Sequence, residues 1–120
     1  MPDSNDAPTS LPLTAIVFQI MLALADAERH GYAIMQEVEE RTDGACRLRP
    51  GSLYRALNRM LEDGWLEEVE DRPDPQLDDE RRRYYRLTDL GRSVAAEEAR
   101  RLAREVRWAR DKKLLRPREA

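Results

Sequence analysis

The chain contains 120 residues, of which 41% are hydrophobic and 38% charged, and its formal net charge is −3. This length allows one domain of ordinary size and excludes a catalytic domain beside a separate binding domain. Cys46 is the only cysteine and His30 the only histidine, which excludes a Cys/His zinc site, a Cys–His nucleophile and an internal disulfide within one chain.

The charge is unevenly distributed. Residues 26–43 carry six acids and two bases, whereas residues 47–59 carry four arginines and no acid. Binding to nucleic-acid phosphates requires a basic surface, which a local cluster supplies even when the net charge is negative. The cluster consists of Arg47, Arg49, Arg55 and Arg59.

Two helices are predicted in the first part of the chain. From residue 13 the apolar residues follow the i, i+3, i+4 spacing of a helix that Thr14 caps and that ends near Asp26. A second helix follows His30 and ends before Gly44. Its apolar stripe is Tyr32, Ile34, Met35 and Val38.

A third helix and a hairpin come next. Pro50 is well placed in the first turn of the third helix, because its missing N–H has no partner there in any helix, and Gly64 ends it. The runs 65–70 and 83–87 have the composition of strands, and the loop between them contains Pro73 and other turn residues. We therefore expect a wing with a long loop.

Thr88 caps a last helix of roughly 25 residues, because nothing breaks its pattern before Pro117. The order helix, helix, helix, hairpin, helix predicts a mainly α fold with a small β-hairpin, a winged helix-turn-helix followed by a long helix. We assign a flexible tail to residues 1–12, the DNA-binding domain to 13–88, a dimerisation helix to 89–114 and a second tail to 115–120.

The third helix carries a polar face. Its apolar stripe, Leu53, Leu57, Met60 and Leu61, leaves the polar residues on other faces. Arginine pairs with guanine and asparagine with adenine in the major groove, while serine at a helix N-terminus can hold a phosphate. The alternative is a solvated helix face, but like charges four residues apart give no structural benefit. The candidate DNA contacts are Arg49, Ser52, Arg55, Asn58 and Arg59.

A second basic cluster, Arg81, Arg82 and Arg83, lies at the base of the predicted wing, where it could reach the DNA backbone or the minor groove. The alternative is neutralisation by the adjacent acids at residues 78–80. Tyr84 and Tyr85 point to opposite faces of a strand, so we expect one of them to pack in the core.

The last helix carries small and apolar residues that are spaced four, three, four and three positions apart, which is the heptad spacing of paired helices. We call these residues the seam: Ala95, Ala99, Leu102, Val106 and Ala109. The alternative is packing onto its own domain. Trp108 is a candidate dimer anchor or a contact in a pocket for a flat effector, with the anchor favoured. We assign structural roles to His30 and Cys46. The predicted dimer interface is Ala95, Ala99, Leu102, Val106, Trp108 and Ala109.

Together these residues resemble the PadR family of transcriptional regulators over about residues 11–113. The segments that carry the resemblance are His30-Gly31-Tyr32-Ala33-Ile34, Arg49-Pro50-Gly51-Ser52-Leu53-Tyr54-Arg55-Ala56-Leu57, and Arg82-Arg83-Tyr84-Tyr85-Arg86-Leu87-Thr88-Asp89-Leu90-Gly91.

The resemblance implies a winged helix, a dimer through the C-terminal helix, a palindromic promoter site and repression relieved by an effector. It also implies that Gly31 and Tyr32 belong to the scaffold. The wing is lengthened at residues 73–79 relative to the family pattern, and only one helix follows it, which places the chain with the short type that has a single C-terminal helix. The acidic wing tip puts insertion of the wing into the minor groove in doubt. The DNA surface that it implies is Ser52, Tyr54, Arg55, Arg59, Arg82 and Arg83.

The sequence also bears on other functions. No Ser/His/Asp set, metal cluster or glycine-rich phosphate loop occurs, so we expect neither an enzyme nor a cofactor or metal. The apolar stretch 16–25 is too short for a membrane span and no export signal precedes it, so we expect a cytoplasmic protein. The remaining alternative is a winged helix that binds another protein and not DNA.

Overall fold

The computed structural model describes residues 11–69 and 83–116. Within them the chain forms four helices and three strands, and the mainly α fold with a small sheet is confirmed. The elements are α1 (Ala15–Leu24), β1 (Arg29–His30), α2 (Gly31–Arg41), α3 (Pro50–Glu62), β2 (Leu66–Val69), β3 (Tyr84–Leu87) and α4 (Asp89–Asp111). Most of the predicted N-terminal tail, residues 117–120, the wing tip, Arg81 and Arg82 lie outside the described residues.

Three of the four described helices, α1, α2 and α4, begin after a residue whose side chain accepts a backbone hydrogen bond, as expected for N-caps. Thr14 Oγ1 accepts from the Val17 N–H at 3.2 Å, and Thr88 Oγ1 accepts from the Gly91 N–H at 2.9 Å. Both predicted caps are therefore confirmed. His30 caps α2 in the same way, because its Nδ1 accepts from the Ala33 N–H at 3.2 Å.

The sheet is antiparallel in the order β1-β3-β2, so β3 lies between the other two strands. β1 was not predicted, because two residues show no periodicity and its partner strand lies far along the chain. Tyr85 on β3 is buried, while the partly buried Tyr84 meets the ring of His30 edge to face, with centroids 5.3 Å apart. As predicted, one tyrosine of the pair packs in the core.

The core lies between the three N-terminal helices and the sheet. Tyr32 does not belong to it, contrary to its assignment to the apolar stripe of the second helix. It is 59% exposed, because it lies about 200° around α2 from Ile34, which together with Val38 defines the buried face. The fully buried side chains are Ile20, Met21, Leu24, Ile34, Val38, Leu53, Leu57 and Met60.

α4 starts against the segment that follows α3. Thr88 Oγ1 donates to the Gly64 carbonyl at 2.6 Å, and the Thr88 N–H donates to the Trp65 carbonyl at 3.0 Å. Gly91 lies so close to Trp65 that a Cβ at residue 91 would collide with the Trp65 carbonyl. α4 is long, but its many charged residues make it too polar to cross a membrane. None of the other helices within residues 11–69 and 83–116 could cross one either.

Candidate nucleic-acid interface

A short, well-bonded turn connects α2 to α3. Gly44 adopts φ +83°, and its N–H donates to the Glu39 carbonyl at 2.9 Å, which closes the C-terminus of α2. Thr42 Oγ1 donates to the Val38 carbonyl at 2.8 Å and accepts from the Cys46 N–H at 3.0 Å. The turn therefore holds the start of α3 in a defined place beside α2.

α3 is strongly amphipathic. Leu53, Leu57 and Met60 are buried, and Leu61 is partly buried. The opposite face places three predicted contact residues, Arg55, Asn58 and Arg59, together in solvent, while Ser52 is partly buried at the edge of this face.

The N-terminus of α3 is open. Arg49 occupies the N-cap without a side-chain capping bond among the described residues, and Pro50 follows it. The first helical N–H donor is that of Leu53, which donates to the Arg49 carbonyl at 2.8 Å, so the amides of Gly51 and Ser52 precede the helical ladder. A Cβ at Gly51 would meet nothing within 4 Å. An anion could therefore approach this end of the helix closely.

Tyr54 has a packing role in addition to its predicted contact role. Its hydroxyl and ring lie over Gly31, and a Cβ at residue 31 would collide with the hydroxyl. The side chain is nevertheless 42% exposed. Tyr54 thus joins α2 to α3 and presents part of its ring to solvent beside Arg55.

Acids from outside the arginine-rich segment pair with two of its members. Arg47 Nε lies 3.4 Å from Glu39 Oε2, and Arg59 Nε lies 3.5 Å from Asp63 Oδ2. Both guanidinium side chains remain largely exposed, that of Arg59 at 74%, and exposed pairs of this kind are weak. Within the described ranges, Arg49 and Arg55 form no ion pair, so the face remains basic at its centre.

The base of the wing is held by charge pairs between the strands. Arg83 Nη1 lies 3.4 Å from Glu68 Oε2. Arg86 binds Glu67 at 2.7 Å and Glu28 at 3.2 Å, and these hydrogen bonds, that of Glu67 first, raise the pKa of Arg86. Arg83 is thus exposed but engaged, and Arg82 lies outside the described residues.

The predicted dimer residues differ in their burial along α4. Ala95 packs against the core of its own chain, whereas Ala99 is exposed and Leu102, Val106 and Ala109 are partly buried. Trp108 is 52% exposed and lies about 200° around the helix from Val106, so it faces a different side from the seam.

Sequence reasoning missed three side chains that shape this region. The cap that His30 makes was not expected, because histidine is not among the usual N-cap residues. Arg86 was not singled out, because its partners Glu67 and Glu28 are distant in sequence. Glu98 is buried although a charged residue in a polar helix predicts exposure.

A helix, a turn and a basic helix, followed by the antiparallel strands β2 and β3, which pair in one small sheet with β1, define a winged-helix protein of the transcriptional-regulator class. The family model described as "Transcriptional regulator PadR-like family" matches residues 20–97. The chain therefore belongs to the PadR-like family of transcriptional regulators, and the resemblance drawn from its motifs is confirmed. This is a family of regulators and not of enzymes.

Individual relatives agree with this assignment. Transcriptional regulator Rv3488 of Mycobacterium tuberculosis is 38% identical over 95 residues, which cover 77% of this chain and 82% of the relative. The crystal structure of a PadR family transcription regulator from Clostridium difficile is 26% identical, with a TM-score of 0.66 and coverage of 85% of this chain and 100% of that chain. The structure of RosR from H. salinarum gives 26% identity and a TM-score of 0.60, covering 88% and 99%.

Proposed function

We propose that this protein is a transcriptional repressor that binds a palindromic promoter site as a homodimer. The observation that carries the proposal is the exposed polar face of α3, where Arg55, Asn58 and Arg59 project together from a helix whose other face is buried. In a winged helix this is the element that enters the major groove. The protein would act in the cytoplasm, where it binds the chromosome.

Base contacts are assigned to the three exposed residues of that face. Arg55 and Arg59 each present two donors that match the O6 and N7 acceptors of guanine, and Asn58 can pair with the N6 and N7 edge of adenine. Arg59 would exchange its weak bond to Asp63 for a base.

Backbone contacts are assigned to the surrounding residues. The open amides of Gly51 and Ser52, with the Ser52 hydroxyl and Arg49, form a phosphate site at the N-terminus of α3. Tyr54 can donate its hydroxyl to a neighbouring phosphate. Arg82 and Arg83 would contact the backbone from the base of the wing, where Arg83 would leave Glu68.

The dimer is assigned to the part of α4 that extends beyond the domain. Two half-sites one helical turn apart, about 34 Å, must be bound together, which requires a fixed link between two recognition helices. The small residues of the seam allow a partner helix to approach closely. We assign the interface to Ala99, Leu102, Val106 and Ala109, with Ala95 at its inner end, where α4 still packs on its own domain, and with Trp108 on a different side of the helix.

Relief of repression is assigned to a small-molecule effector that binds near this interface. The exposed indole of Trp108 offers a flat apolar surface on α4, the helix that links the two copies. An effector there would change the geometry of the link without touching α3.

The direct test is the retention of fragments of the source genome by the purified protein, followed by affinity measurements on the recovered duplexes at several salt concentrations. We expect one palindromic motif to be enriched and its affinity to fall steeply with salt, because phosphate contacts release counterions. Salt-insensitive association, or no enriched motif, would favour the protein-interaction module.

A further inference from the structure

One charged side chain is buried in the described part of the chain, and it lies on the helix that we assign to the dimer. Glu98 on α4 is 2% exposed. Its Oε1 accepts from Arg101 Nε at 2.7 Å, and its Oε2 accepts from Arg101 Nη2 at 3.0 Å and from the Leu13 N–H at 3.2 Å. We call Leu13, Glu98 and Arg101 the Glu98 cluster.

The bonding explains how a carboxylate can be buried here. Removing a charge from water is costly unless hydrogen bonds and an opposite charge replace the water. The hydrogen bonds from Arg101 lower the pKa of Glu98, the Leu13 N–H acts in the same direction, and burial opposes both. An apolar side chain could fill the same space, but apolar contacts do not require a particular orientation of the two segments that they join, whereas these hydrogen bonds do.

The position of the Glu98 cluster shows which two segments these hydrogen bonds orient. Leu13 immediately precedes Thr14, the cap of α1, and α1 packs against α2, α3 and α4. Glu98 is the last buried residue of α4 in the described chain, after Gly91 and Val94. The carboxylate therefore ties the start of α1 to the point where α4 leaves the domain. Both Leu13 and Glu98 lie outside the residues 20–97 that match the family model.

We propose that Glu98 is a positioning residue that fixes the angle at which α4 leaves the DNA-binding unit and thereby sets the half-site spacing that the dimer accepts. The inference rests on the proposed function. Beyond Glu98, α4 continues to Asp111, about 20 Å at 1.5 Å per residue. A tilt of about 10° moves that end by roughly 3.4 Å, which is the rise of one base pair.

The test compares Glu98→Gln with Glu97→Gln, the loss of an exposed neighbouring carboxylate that pairs with Arg100 at 2.9 Å. The probes are duplexes built from the half-site selected by the wild type, with the spacing between half-sites changed by single base pairs. We expect wild type and Glu97→Gln to prefer one spacing sharply. Glu98→Gln should lose about tenfold at that spacing, because the second half-site is held less well in place, and should bind neighbouring spacings almost equally.

A single half-site serves as the internal control, because its affinity depends on α3 and should be the same in all three proteins. If Glu98→Gln keeps the sharp wild-type profile, the inference is overturned while the proposed function stands. A wild type that shows no spacing preference removes both. Should Glu98→Gln fail to fold, Arg101→Lys carries the same test, because it keeps the charge and loses the two-pronged geometry.

Discussion

The hydroxyl of Tyr54 on α3 lies over Gly31 at the start of α2, in the space that a Cβ at residue 31 would occupy. This contact joins the two helices of the helix-turn-helix through a side chain that is still exposed on one edge. Gly91 has a similar lack of space, but there the obstacle is the backbone carbonyl of Trp65. The two glycines therefore differ in whether their neighbour can move.

A series of three alanine substitutions tests this difference. Gly91→Ala should lower the free energy of unfolding by about 3 kcal/mol or more, because the Trp65 backbone cannot yield. Gly31→Ala should cost less than about 1 kcal/mol, because the exposed Tyr54 ring can rotate away. The control, Gly51→Ala, should raise stability by up to about 1 kcal/mol, since that site is open and helical. Urea unfolding checks all three, and equal costs at 31 and 91 would contradict the explanation.

The same contact has a consequence for DNA affinity. Displacement of Tyr54 in Gly31→Ala should weaken operator binding even though the fold is kept, because the ring leaves its place beside Arg55. In a Tyr54→Ala background the Gly31→Ala substitution should have no further effect on binding. Additive losses in this double-mutant cycle would show that residue 31 acts on DNA affinity by another route.

The arginines of α3 should contribute directly to operator binding. We expect Arg55→Ala and Arg59→Ala each to weaken binding by about 1–3 kcal/mol and to leave thermal unfolding unchanged. Arg104→Ala, an exposed arginine on α4, is the matched control for loss of one positive charge and should have little effect. If both α3 variants bind like wild type, α3 is not the recognition helix.

The proposed interface should be sensitive to a buried charge. Val106→Glu places a carboxylate in the seam and should give a monomer of 14.0 kDa with weakened operator binding, since both half-sites must be held together. Arg107→Glu, at the exposed neighbouring position, should remain a dimer. Sedimentation velocity distinguishes the two states, and a dimeric Val106→Glu would contradict the assignment of the seam.

Fluorescence can follow Trp108, because the only other tryptophan, Trp65, is buried in the core. If Trp108 is a dimer anchor, its emission should shift to longer wavelength when the dimer is diluted to monomers, as burial is lost. Trp108→Phe supplies the Trp65 background for subtraction. An emission spectrum that does not change on dilution would favour the effector-contact role over the anchor role.

Acid should weaken the Glu98 cluster. The hydrogen bonds from Arg101 lower the folded-state pKa of Glu98 from its ordinary value near 4.5. The stabilisation is therefore complete above that ordinary pKa and is lost as the pH falls through the lower folded value. In urea unfolding at a series of pH values, Glu98→Gln should show a shallower loss of stability in acid than wild type, whereas Glu97→Gln should follow wild type.

The sequence predicted the features that depend on local spacing. The helices, the caps at Thr14 and Thr88 and the polar face of α3 follow from patterns a few residues long. Most contacts that were missed join distant segments, such as the bond of Leu13 to Glu98. The cap that His30 makes is local, but it comes from a residue type that seldom caps helices. Tyr32 was misassigned because it precedes Ile34 by only two residues, a spacing that puts the two side chains on nearly opposite sides of a helix.

The arginine-rich segment illustrates the same limit for the site. Residues 47–59 contain no acid, yet Glu39, eight residues before this segment, and Asp63, four residues after it, pair with Arg47 and Arg59. The sequence pattern located the basic face, but only the folded chain shows which of its members already have a partner.

Those two pairs make Glu39 and Asp63 built-in counterions. When Arg59 leaves Asp63 for DNA, no salt ion is released from that guanidinium, so this contact adds less than about 0.9 to the slope of log affinity against log salt. Arg55 forms no ion pair with any residue that the structure describes and should contribute its full share. The measured slope will then underestimate the number of arginines that contact DNA.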